Sequence, residues 1–375
     1  MSSTTSAPGT AHVAGPDSPW RLAPRTVVLL VSGLTAVTLG GIVATLPVPY
    51  VVFSPGPVRD TLGATAEGED LIVVEGAETY PTEGQLDLTT IRVAGGPLGR
   101  VTVLDAMQAY VDGARSLRPV ETVYPPDETR EEAREASTAQ MVSAQQSAAV
   151  AALLELGEQV PARLVVSGFG GNPASKAVLE EGDVVRAVDG TPVTSSGGLV
   201  ERLQDYEPGQ AVDITVLRGT EELTERIELA ASEEDAVILG VLISPEYELP
   251  YEISYDVGGI GGPSAGLMFS LGIYDKLSPG ALTGGAHVAG TGTIADDGVV
   301  GPIDGIQQKL VGARDVGAEW FLAPVDNCDD VVGSVPDGLR VTAVASLSEA
   351  VDAVEAVASD DTDGLPSCED VLAGS

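Results

Sequence analysis

Hydrophobic and polar positions change period along the chain, and each change predicts a different kind of element. Between Arg25 and Arg59 there is no charge, and the run TVVLLVSGLTAVTLGGIVATL, Thr26 to Leu46, is apolar all round. About 20 such residues are what a bilayer-spanning helix requires. Pro47 to Pro126 alternates short β-rich runs, such as DLIVVEG and LDLTTIRVAG, with Gly/Pro turns. Asp127 to Leu156 turns helical, charged in DETREEAREAS and alanine-rich in AQMVSAQQSAAVAALLEL, with Gly157 as the stop. This segment reads as a structural helix packing on a neighbouring domain.

From Leu164 to Leu229 the pattern is again strand-like. ARLVVSGF reads as a strand and NPASKAVL as a short helix. EEGDVVRAVDGTPV reads as two strands around a turn at Asp189-Gly190. LVERLQDY reads as a helix, and AVDITVLRG with LTERIELA as a hairpin. Further on, GGIGGPSAGLMFSLG (Gly258 to Gly272) places one hydroxyl, Ser264, between a nearly side-chain-free backbone and an apolar helix. A nucleophile approached closely from outside and held from behind has this pattern. A glycine-rich turn capped by serine has it too. In GPIDGIQQKLVGARDVGAEWFLAP, helical spacing puts Ile306, Leu310 and Ala313 on one face, with Lys309 at its border.

Composition narrows the chemistry. A formal net charge of -37 over 375 residues excludes a nucleic-acid partner, which needs a basic surface, and fits a solvated acidic one. The chain has two histidines, His12 and His287, and two cysteines, Cys328 and Cys368. No Cys/His cluster forms a usual zinc site, and no P-loop motif is present for a nucleotide. No metal or cofactor is expected. GPSAG fits the G-x-S-x-G elbow of α/β-hydrolases. That fold would need Asp275 and His287 as its acid and base within 23 residues of Ser264, too short for its remaining strands. His287 reads as a strand residue. A lysine whose ammonium is disfavoured by burial is the other available base. Of the three lysines, Lys176 lies in the β-rich module and Lys276 reads as exposed at a turn, which leaves Lys309.

Topology follows from charge. Arg21 and Arg25 precede the apolar run and acid dominates after it, so the N-terminus is expected in the cytoplasm and everything after Pro47 outside. A cleaved signal peptide is the rival, although its apolar core is normally only ~7–15 residues. Outside the cytoplasm Cys328 and Cys368 can pair; two free thiols remain the alternative.

Two stretches carry family resemblances. NPASKAVLEEGDVVRAVDGTPV and PGQAVDITVLRG resemble a PDZ domain, which implies binding of extended peptides at a sheet edge, here without an obvious carboxylate-binding loop. GGPSAGLMFSLGIYDKLSPGALTGG, VAGTGTI and GVVGPIDGIQQKLVGARDVGAEWFLAP resemble the proteolytic domain of the Lon peptidase family. That resemblance implies Ser264 as nucleophile, Lys309 as base and Thr291 as a supporting residue. The Gly261 and Gly262 backbone, with Ser264 N–H, is then expected at the oxyanion. Many Lon enzymes have P-K-D-G before P-S-A-G; here the acid position is Gly261.

The expected fold class is α+β. The expected division is a disordered cytoplasmic tail (1–25), a transmembrane signal anchor (26–46), an extracytoplasmic β-rich region with its helix (47–157), a PDZ domain (158–231), a Lon-type protease domain (232–358) and an acidic tail (359–375). The whole resembles the bacterial membrane-anchored PDZ–Lon proteases. This implies an ATP-independent serine endopeptidase on peptides or unfolded proteins outside the cytoplasmic membrane, with homo-oligomerisation left open. The alternative is a non-catalytic, membrane-tethered PDZ adaptor.

Overall fold

The computed structural model describes residues 23–65, 68–232 and 236–374. The tail expected to be disordered lies almost wholly outside them. The apolar run forms α1 (Pro24–Ala44), with Pro24 in its first turn, where a missing N–H costs nothing. It starts and stops two residues earlier than the hydropathy predicted, and none of its residues is buried. Among the described residues it is the one helix long and apolar enough to cross a membrane, at a mean hydropathy of 2.3. The segment that follows α1 is bonded to the segment that leads into α2 (Val103–Val111). Pro47–Val48 pairs with Val101–Thr102, and Val103 N–H donates to the Leu46 carbonyl at 3.0 Å.

The helix expected over Asp127 to Leu156 is α3 (Arg130–Glu155). A Thr129/Glu132 capping box opens it. Hydrogen bonds from Gly157 N–H to Leu154 O and from Glu158 N–H to Leu153 O close it, which is the Schellman arrangement. Only its second half is buried, from Met141 through Leu153.

Two sheets organise the rest. Their strands in chain order are β1 (Arg59–Asp60), β2 (Gln85–Leu88), β3 (Ala162–Phe169), β4 (Val184–Val188) and β5 (Ala211–Arg218). They continue with β6 (Glu221–Glu228), β7 (Val241–Tyr247), β8 (His287–Gly290), β9 (Trp320–Pro324) and β10 (Arg340–Val344). The first sheet has the order β6-β5-β4-β3-β7 and is antiparallel throughout. With α4 (Pro173–Val178) and α5 (Ser196–Leu203) it encloses a core of Leu164, Val166, Leu199, Ile214 and Ile227. β5 shows why: Val212, Ile214 and Val216 point inward and alternate with Asp213 and Thr215.

The second sheet has the order β10-β9-β8-β2-β1, parallel except for β1. One face is covered by α3, α6 (Gly266–Leu277) and, further along the chain, Leu347–Ala358. The other is covered by α7 (Ile306–Asp315), α8 (Cys328–Val331) and Cys368–Gly374. In chain order the last two helices are α9 (Leu347–Ala358) and α10 (Cys368–Gly374). A Cys328–Cys368 disulfide joins α8 to α10, so the two thiols are paired rather than free.

The expected division needs two corrections. β7 falls inside the interval assigned to the protease domain, yet it pairs along β3 from Val241↔Phe169 to Tyr247↔Ala162. β1 and β2 fall in the region expected only to pack on that domain, yet they are strands of its sheet. Local periodicity identifies a strand but not its partner, and both pairings join segments far apart in sequence.

Candidate active site

Three elements converge at Ser264. The first is the turn before α6. The helix begins at Gly266 with Ala265 as its cap, so Ser264 stands just ahead of it. The second is the end of β8, where the chain leaves the sheet through Thr291 and Gly292. Thr291 Oγ1 donates to the Ser264 carbonyl at 2.9 Å, and Gly292 N–H donates to it at 3.0 Å. Leu267 N–H returns a bond to the Gly292 carbonyl at 3.2 Å. These bonds fix the turn to the sheet. The third is α7, which projects Lys309 from the opposite face.

Lys309 Nζ lies 2.7 Å from Ser264 Oγ and 2.8 Å from Thr291 Oγ1. The expected face of α7 is buried, with Ile306, Leu310 and Ala313 inside, and Lys309 is itself only 1% exposed. Burial disfavours the ammonium and lowers the Lys309 pKa to about 7. The Asp304 carboxylate pulls the other way. Asp304 sits at the rim of the cleft and pairs with Arg118 at 3.2 Å. It went unnoticed in the sequence, although it lies five residues before Lys309.

The loop Gly258 to Gly262 behaves differently from expectation. Gly262, at φ +87°, donates its N–H to the Ser137 carbonyl of α3 at 2.9 Å, so this donor is occupied here. Gly261 lies so close to α3 that a Cβ there would meet Ser137 Oγ at 2.2 Å. A side chain at that position, such as the acid of P-K-D-G, would need Ser137 to move. The part played by α3 in this loop had no local signal in the sequence.

The other singled-out residues lie elsewhere. His287, on β8, places Nε2 2.6 Å from Asp87 Oδ2 on β2, away from any hydrogen bond to Ser264. Asp275 is buried and accepts from Leu282 N–H at 2.8 Å. Lys276 corrects an expectation: it is only 9% exposed and is held by Asp70 at 2.9 Å. Lys176 is exposed on α4.

Ser264 and Lys309 open into a cleft of about 940 Å³, walled by α3 on one side, with Tyr124, Arg130 and Arg134 along it. Beside Ser264 lies a smaller cavity of about 190 Å³, lined mainly by Pro57, Ile91, Met141, Ile260 and Ala265. No group of His, Cys, Asp and Glu among the described residues is placed to hold a metal.

Residues 257–359 match the Lon protease (S16) C-terminal proteolytic domain, and residues 155–229 match the PDZ domain. Lon protease 1 of Bacillus subtilis (strain 168) is 28% identical over 181 residues, 46% of this chain and 23% of its own length. Lon protease 2 of the same organism is 31% identical over 107 residues, 28% of this chain and 19% of its own. The chain therefore spans about a fifth of the length of these curated relatives. The crystal structure of the PDZ domain of an SdrC-like protein from Listeria monocytogenes aligns with 22% of this chain and 86% of that chain. The identity is 21% and the TM-score 0.21.

Proposed function

For a chain that carries a PDZ domain and a Lon-type (S16) proteolytic domain, we propose the activity of a membrane-anchored, ATP-independent serine endopeptidase with a Ser264–Lys309 dyad. Its substrates are unfolded or flexible proteins outside the cytoplasm. The observation that carries this reading is a buried lysine with Nζ 2.7 Å from a serine hydroxyl at the mouth of a cleft.

The chemistry follows from the protonation state. A neutral Lys309 has one lone pair and two protons. It accepts from Ser264 Oγ–H while donating to Thr291 Oγ1, and Thr291 in turn donates to the Ser264 carbonyl. Ser264 Oγ attacks the scissile carbonyl as its proton passes to Nζ. The resulting ammonium protonates the leaving amine, and the neutral amine then activates water on the acyl-enzyme. Ser264 N–H faces the developing oxyanion at the start of α6, where the helix field is positive. Gly262 N–H joins it once released from Ser137. The small cavity beside Ser264 takes a side chain of the substrate next to the cut bond.

The PDZ domain presents the substrate. β7 ends its sheet, so its outer edge can accept an added strand. The far end of β7 reaches the protease: Tyr247 Oη donates to Asp296, which also accepts from Ser147 of α3 at 2.6 Å. Membrane anchoring is supported by the fully unburied α1 behind Arg21 and Arg25. An extracytoplasmic site is supported by the Cys328–Cys368 disulfide. The reading is tested by incubating the purified protein with casein and with short peptides, without nucleotide, beside its Ser264→Ala form. Equal cleavage by both forms would refute it.

A further inference from the structure

The surface at the foot of α1 has no place in this chemistry. α2 is a nine-residue helix with one face turned inward, where Ala109 joins Val52 and Val101 in a small core. Its other face is apolar and bare. Leu104 is 48% exposed, Met107 64%, Tyr110 84% and Val111 81%. Their spacing, 104, 107 and 111 with 110 alongside, is that of a single helical stripe. Between this stripe and the neighbouring strand lies a shallow cavity of about 280 Å³, lined by Val48, Tyr50, Val103, Ala106, Met107 and Tyr110. A soluble surface does not normally leave such a contiguous apolar patch in water.

What covers it is indicated by its position. Val103 N–H is bonded to the Leu46 carbonyl, two residues beyond α1, and α1 and α2 touch. The stripe therefore begins where the apolar surface of α1 ends. Two tyrosines of this surface, Tyr110 on the stripe and Tyr50 on the strand beside it, are side chains that favour the depth at which headgroups meet acyl chains. The polar side of α2 carries no lysine or arginine, and its acids are occupied. Asp105 caps the helix through Thr102, and Asp112 pairs with Arg115 at 3.0 Å.

We propose that α2 is an interfacial membrane helix, with Leu104, Met107, Tyr110 and Val111 seated in the leaflet surface beside α1. Burial of apolar area drives this contact, so it needs no anionic lipid. The contact gives the catalytic part a second membrane attachment and limits its swing about the end of α1. The proposal rests on the reading of α1 as a membrane span.

The test uses the full chain in vesicles of phosphatidylcholine alone. Met107→Cys, Tyr110→Cys and, as a reference, Val142→Cys on the exposed side of α3 are each labelled with an environment-sensitive fluorophore. The only native cysteines are paired with each other. The expected result is blue-shifted emission at positions 107 and 110, quenched by nitroxide-bearing lipid at least about twofold more than at 142. Carbonate extraction is run on the same samples. Labels at 107 and 110 no more quenched than at 142, in protein that resists carbonate, would overturn the interfacial helix and leave the anchor standing. Release of the protein by carbonate would remove the anchor and the proposal together. Labels shielded from lipid but cross-linkable between copies would assign the face to a second copy of this chain and overturn the proposal as well.

Discussion

Lys309 Nζ is bracketed by two hydroxyls, Ser264 Oγ at 2.7 Å and Thr291 Oγ1 at 2.8 Å, and the lysine is buried. In the proposed mechanism the amine has one partner to deprotonate and one to hold it in place. Ser264→Ala and Lys309→Ala are each expected to lower kcat/KM by at least about a thousandfold, and the double variant little further, because residues that act as a unit are not additive. Lys309→Arg should not restore activity, since a guanidinium stays protonated. Turnover of a peptide substrate checks this, with circular dichroism confirming that each variant folds. Near-normal turnover in Lys309→Ala would remove the lysine from the mechanism.

The lowered pKa of Lys309 has two consequences with defined signs. Activity requires the neutral amine, so kcat/KM should rise with pH and level off above about 7. Stability has its own dependence. Between about 7 and the ordinary 10.5 the unfolded chain binds the proton more readily than the folded one, so this site makes stability rise with pH through that window. Below about 7 the penalty for burying the lysine is fully present, and above 10.5 it vanishes. Lys309→Met should therefore raise the melting temperature at neutral and acidic pH, with a gain that shrinks toward pH 10.5. A gain independent of pH would mean that packing alone is responsible.

Legibility in the sequence followed the range of the interaction. The helical face of α7 was readable because Ile306, Leu310 and Ala313 recur at helical spacing, and α3 because its caps are local. The strands β3 to β6 were readable from their alternation. Pairings between distant segments were not. Lys276 reads as a turn lysine until Asp70, 206 residues away, is placed beside it. β7 alternates as any one-sided strand does, and nothing in VLISPEY names β3 as its neighbour. In the site, residue types pointed to Ser264 and Lys309 and the family resemblance to Thr291, but the hold of Ser137 on Gly262 depends on how α3 crosses the loop.

That hold makes a prediction of its own. A Cβ at residue 261 would meet Ser137 Oγ at 2.2 Å and Ser137 Cβ at 3.3 Å, so Gly261→Ala crowds Ser137 and is expected to shift the loop on α3. Gly261→Ala should lower peptide cleavage by roughly tenfold or more, because a displaced loop misplaces Ser264. Adding Ser137→Gly removes the obstructing side chain and should recover most of the loss. Equal activity in the single and double variants would show that Ser137 is not what constrains the loop.

The PDZ domain can be removed cleanly because its two ends lie together. Glu248 N–H donates to the Pro161 carbonyl at 3.0 Å, and Tyr251 Oη to Glu158 at 3.2 Å. Residues 162–247, including β7, should be replaceable by a short glycine linker. A cut ending at Leu229 would instead strand β7 without its sheet. The excised protein is expected to hydrolyse a short peptide at a rate within a few-fold of the parent and to cleave casein much more slowly. If short-peptide cleavage disappears while the protein remains folded, the domain acts through the Tyr247–Asp296 contact as an activator rather than as a substrate holder.

The disulfide offers a test of compartment as well as stability. Cys328 and Cys368 are 40 residues apart and fasten α10 onto α8, on the face of the sheet that also carries α7. Closing a loop of that length in the unfolded chain is worth about 3–4 kcal/mol in the chain-entropy account. Cys368→Ser should accordingly lower the thermal midpoint, and reductant should do the same to the parent but not to the variant. Because α8 and α10 share a core with Ile306 and Leu310, partial loss of Lys309 positioning is expected near the lowered midpoint, seen as activity falling before global unfolding. Thiol labelling of the protein taken from cells in the oxidised state completes the test. A disulfide intact on isolation fits an extracytoplasmic domain, whereas two fully labelled thiols would place this domain in the cytoplasm and reverse the topology of α1.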